Sequence, residues 1–163
     1  MADEIKRNRW SQFLKKFTIA NQYRYSTVVV ARGGNEEIQI NQDAPFLGVA
    51  VSKAGRYIDG VNFFSGRYDL EKISEPVVSI KGPVKLEVEK DDSGHYHNLA
   101  VHAEDGTVAK VILRGENSGD GFRSYVEKVA YKIAENRGFA PGNDTEDWLE
   151  AERRVKEAEL ALS

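Results

Sequence analysis

The sequence contains no cysteine, and only one methionine and four prolines among its 163 residues. Without cysteine there is no disulfide, no thiolate nucleophile and no cysteine-ligated zinc or iron–sulfur centre. The same absence suits a reducing, cytoplasmic compartment. No apolar run approaches the roughly 20 residues that span a bilayer. The opening residues, Met1 to Arg7, lead into a polar helix without the apolar stretch of a secretory signal. A block of one charge is missing too. Residues 1–117 balance sixteen basic against sixteen acidic side chains, so the net charge of −3 falls entirely on residues 118–163. That balance argues against a nucleic-acid grip, which needs a basic stripe.

What is present is a globular composition, 40% hydrophobic and 30% charged. Trp10, Phe13, Leu14 and Phe17 recur at helical spacing and predict an amphipathic helix over about Arg9 to Ala20, with Asn8 available as a cap. Strand patterns follow. Thr27 to Ala31 is apolar on both faces, as in a central strand. Ile38 and Ile40 share a face in the segment from Glu36 to Asn41, and Leu47, Val49 and Val51 share one further along. A further strand is read from Tyr57 to Phe64. Val84, Leu86 and Val88, then Leu99, Val101 and Ala103, then Ala109, Val111 and Leu113 give the apolar faces of a three-strand meander, with turns at Asp91 to Gly94 and Glu104 to Gly106.

The period changes after the glycine-rich segment 115–121. Phe122, Val126, Val129 and Ile133 predict one helix, ended by Gly138. Trp148, Ala151, Val155, Ala158 and Leu162 form a narrow seam on a second, with Asn143 or Asp144 as its cap. The expected class is α+β. An N-terminal helix lies on a mostly antiparallel β sandwich or curled barrel (residues 1–114), followed by a linker (115–121) and a C-terminal helical hairpin (122–163).

No segment carries a catalytic signature, and no cofactor is implied. His95, His97 and His102 lie close in sequence, but no carboxylate at ligand spacing completes a metal site. The glycine-rich segment lacks the Lys-Ser/Thr ending of a phosphate loop and reads as a linker with a helix cap. Gly55-Arg56-Tyr57 recurs as Gly66-Arg67-Tyr68. An arginine beside an aromatic binds anions or stacks on flat rings, so Arg56, Tyr57, Arg67 and Tyr68 are the expected ligand contacts, with Asp59, Asn62, Phe63 and Phe64 beside them. A hairpin of this length buries too little to stand alone. It must dock on its body, pair with a second copy or fold on a protein partner, and Trp148, Ala151 and Val155 are the expected partner contacts.

Two resemblances follow from short motifs. Ala130-Tyr131, Gly138, Pro141-Gly142 and the run from Trp148 to Glu152 resemble domain of unknown function 2934 over about residues 124–154, with Asp147 where that family often carries histidine. Trp10, Phe13 and Phe17, the segment from Ala44 to Val49, and Leu99 to Val101 with Asp105 to Thr107 resemble domain of unknown function 5335 over about residues 9–113. Both families are bacterial and neither implies an activity. Together they imply a two-part bacterial protein, read as a non-enzymatic interaction or adaptor protein. A small-molecule-binding β domain is the alternative, and an enzyme pairing His95 or His97 with Asp59 or Glu87 is the third reading.

Overall fold

The computed structural model describes residues 2–33, 36–67, 70–115, 120–139 and 141–160. Tyr68, the interior of the glycine-rich segment (116–119) and Leu162 lie outside them. The N-terminal stripe forms helix α1 (Trp10–Asn21), which follows a short strand β1 (Asp3–Ile5) and one turn of 3-10 helix. Trp10, Leu14 and Phe17 are all buried. The Trp10 indole N–H donates to the carbonyl of Ile5 at 2.8 Å, which ties the helix to β1.

Seven more strands follow: β2 (Tyr25–Ala31), β3 (Ile38–Ala54), β4 (Tyr57–Ser65), β5 (Val78–Lys81), β6 (Pro83–Lys90), β7 (Tyr96–Ala103) and β8 (Val108–Arg114). They make one antiparallel sheet of order β1-β6-β7-β8-β2-β3-β4-β5. The class is α+β as expected. The sheet does not close into a barrel. It curls enough that Val61, Phe63 and Ile80 from one end share a core with Leu86, Leu99, Val101 and Val111 from the other. Helix α1 fills the concave side of that core.

β3 organises the sheet. At seventeen residues it exceeds the usual strand, and it serves two neighbours in turn. Its first part pairs with β2 as far as Pro45, and from Phe46 onward it pairs with β4. A register shift between Phe46 and Gly48 marks the change. The extra residue reverses the facing of the side chains. Phe46 and Val49 therefore both point into the α1 core, while Leu47 points to the opposite face. The sequence reading had put Leu47 beside Val49 and Val51.

Helices α2 (Asp120–Asn136) and α3 (Asp144–Leu160) dock on that opposite face. Tyr125, Val126, Val129, Ala151, Val155 and Ala158 are buried in one cluster with Leu47, Phe64 and Ile73. α2 starts at Asp120, inside the segment expected to be linker. The contact is close at one point. Tyr23 has a positive φ of 67° and donates its N–H to the Phe46 carbonyl at 2.6 Å. A Cβ on Gly121 would stand 2.4 Å from the Tyr23 carbonyl oxygen, so only glycine fits there.

Candidate functional site

α1 takes the place of a strand. Beyond Pro45 the chain of β2 gives way to the helix, so the edge of β3 that β2 would have paired runs beside α1 instead. The Thr18 hydroxyl accepts from Val49 N–H at 3.0 Å and donates to Val49 C=O at 3.2 Å, and the Gln22 amide donates to Leu47 C=O at 3.3 Å. Thr18 of α1 and Gln22, the residue that ends the helix, thereby satisfy backbone groups that a neighbouring strand would otherwise have bonded.

Next to this seam lies a groove of about 720 Å³. Ser11, Lys15, Thr18, Ile19 and Gln22 form its α1 wall, Val51 and Lys53 of β3 its edge, Ala50, Asn62 and Phe64 its floor, and Glu159 of α3 its far side. The volume falls in the range of ligand sites, about 300–1,000 Å³. Ile19 is 74% exposed there. Lys15 and Lys53 are exposed cations, while burial raises the Glu159 carboxyl above its ordinary value. Sequence reasoning missed this site, although one signal was available. Ile19 is apolar but lies on the face of α1 opposite the Trp10–Leu14–Phe17 stripe, where no core awaits it.

Of the residues expected to share a ligand site, Arg56, Tyr57 and Arg67 are described, and they are not brought together. Arg56 and Tyr57 sit at the start of β4, with Tyr57 79% exposed, and Arg67 follows its other end. Nine residues of strand separate them, roughly 30 Å. Arg67 is engaged locally: its guanidinium donates to Pro76 C=O at 3.2 Å, and its backbone N–H and C=O both bond the Tyr125 hydroxyl. Phe63 lies in the core and Asp59 accepts from Ser52, whereas Asn62 and Phe64 belong to the α1–β3 groove. Of the expected partner contacts, Ala151 and Val155 are wholly buried against the chain's own body and Trp148 is half-buried beside them.

The histidines take separate places. His95 closes a turn in which the Asp91 carboxylate accepts from Ser93 and from the His95 N–H, and those bonds, the Ser93 hydroxyl first, hold Asp91 below the usual carboxylate range. His102 meets Glu87 at 2.6 Å. His97 is exposed, and beside a register shift the Tyr96 ring turns inward onto Phe13 and Phe17. The pairing of His95 or His97 with Asp59 or Glu87 does not form. No group of three metal-ligating side chains occurs among the described residues. No helix among them is long and apolar enough to cross a membrane.

Residues 125–157 match a known family, described as Protein of unknown function (DUF2934). The DUF2934 segment runs from Tyr125 in α2 to Glu157 in α3, and so contains most of the tail's docking surface. Asp147, at the position where histidine was noted as frequent, is buried and ion-paired with Arg137 inside this segment. The resemblance of residues 9–113 to domain of unknown function 5335 found no support. No curated protein and no solved structure matches the chain.

Proposed function

We propose that this is a non-enzymatic interaction protein whose binding face is the groove between α1 and β3. The observation that carries the reading is the groove itself: a ligand-sized trough beside a strand edge, with an exposed Ile19 on its wall and cations at Lys15 and Lys53. The helical tail, first read as the partner-binding element, has a different role in this proposal. Its seam is occupied by the body, and it builds the far side of the groove through Glu159.

Site-specific photo-crosslinking tests the reading. A benzophenone side chain at Ile19 is expected to capture a discrete protein in the cell of origin, and the same group at Tyr57, equally exposed but at the end of the β3–β4 hairpin, is not. The same yield and the same proteins at both positions would remove the groove's claim. A small amphiphilic ligand is the second reading, favoured by the volume. Native mass spectrometry of protein purified without denaturation separates the two, because a retained mass of a few hundred daltons, lost in Ile19→Asp, belongs to the ligand reading alone.

A further inference from the structure

Strand β3 alternates the direction of its backbone hydrogen bonds with a period of two. Val49 turns both its N–H and its C=O to Thr18, away from β4. By the same alternation Val51 and Lys53 present theirs along that edge, while Ala50 and Ser52 face β4 opposite Asn62 and Gly60; the register shift between Ser52 and Lys53 puts its extra residue, Asp59, on β4 and leaves the alternation of β3 intact. Helix α1 satisfies the edge at Leu47 and Val49 and no further. Among the described residues nothing hydrogen-bonds Val51 or Lys53 on that side. Two donor–acceptor pairs about 7 Å apart, at the margin of a groove, match alternate residues of an extended chain.

We propose that the groove receives an extended peptide of a partner protein, added as a strand to the edge of β3 at Val51 and Lys53, with an apolar side chain over Ile19 and an acidic one between Lys15 and Lys53. This rests on the reading of the groove as the binding face. The charges select the occupant. A second copy pairing edge to edge through both residues would set Lys53 opposite Val51 and leave the two Lys53 side chains diagonal neighbours on one face, about 7–8 Å apart, which like charge disfavours. Glu159 across the groove limits the peptide to an acidic residue at the lysine end and excludes an acidic tract. Backbone bonds supply affinity in this mode, and alternate side chains supply selectivity.

The test is selection of nonapeptides from a random phage-displayed library on the intact protein, with synthetic copies of the enriched peptides as probes. The expected peptides carry one Asp or Glu beside apolar residues. N-methylation at residues of one parity weakens them about tenfold or more, the cost of a lost backbone bond, and at the other parity it does not. Hydrogen exchange at the Val51 and Lys53 amides slows by a similar factor, and Lys53→Glu moves the selection to basic peptides. Peptides that bind in the groove, and are lost in Ile19→Asp, but show no parity and no protection would overturn strand addition while leaving the groove as the binding face. If no peptide enriches, or those enriched ignore both substitutions, the groove reading falls as well.

Discussion

The Tyr125 hydroxyl oxygen lies 2.9 Å from the backbone nitrogen of Arg67 and 2.8 Å from its carbonyl oxygen, accepting from one and donating to the other. One phenol thus closes both backbone groups of a residue 58 positions earlier and fixes α2 to the segment that leaves β4. Gly66 is packed just before it, where a Cβ would strike Pro45 at 2.6 Å. Tyr125→Phe keeps the ring and deletes both bonds. Urea denaturation is expected to show a loss of about 1–3 kcal/mol, with faster hydrogen exchange at residues 66 and 67. Unchanged exchange there would mean that the hydroxyl does not hold the segment.

Gly121→Ala tests the closest contact between the tail and the body. The new methyl meets the backbone of Tyr23, which cannot rotate away, so a loss of about 1–3 kcal/mol is expected from overpacking. Thermal unfolding would show it. A variant as stable as the parent would mean that α2 does not sit against the α1–β2 turn.

Thr18→Val is nearly isosteric but removes the oxygen that serves Val49 on both sides. Leaving two buried backbone groups without a partner is expected to lower stability by about 1–3 kcal/mol in urea titration. Thr18→Ser keeps the oxygen and is expected to recover most of it. Equal losses in both variants would assign the effect to the methyl group instead.

Glu150 gives a pH signature. Hydrogen bonds from Arg153, and then from Arg154, hold its carboxyl down to about 2 from an ordinary 4.5. A lowered folded-state pKa stabilises at pH values above the unfolded one, and the contribution disappears as pH falls through the folded value. The carboxylate is about one-third exposed, so solvent screening keeps the effect below about 1 kcal/mol. Glu150→Gln should therefore melt slightly below the parent at pH 7, with the difference closing between about pH 4.5 and pH 2. A difference that stayed constant over that range would be packing rather than charge.

Much of the fold was legible because periodicity reports burial directly. The α1 stripe and the apolar faces of β7 and β8 point into the core as their spacing predicts. The bulges were not legible. Val84 was read with Leu86 and Val88, yet it is exposed, since a register shift between Pro83 and Lys85 turns it outward. Leu47 changed faces for the same reason. Ile38 and Ile40, read as one apolar face, are both exposed to solvent, and a register shift falls between Gln39 and Asn41. The site was hidden for a different reason. A helix standing in for a strand leaves no pattern in local sequence, because the vacancy on β3 depends on where β2 begins, about twenty residues earlier.

Whether the tail serves the body or a partner decides between the two roles considered for it, and Val155→Asp separates them. Its side chain is fully buried among Tyr125, Val129 and Leu47. Urea stability and native mass should be measured on the same samples. With the seam docked on its own chain, the buried carboxylate sharply lowers stability while the folded fraction keeps the parent's assembly state. Unchanged stability together with the loss of a dimer or larger assembly would contradict this, and would return Trp148, Ala151 and Val155 to a partner surface.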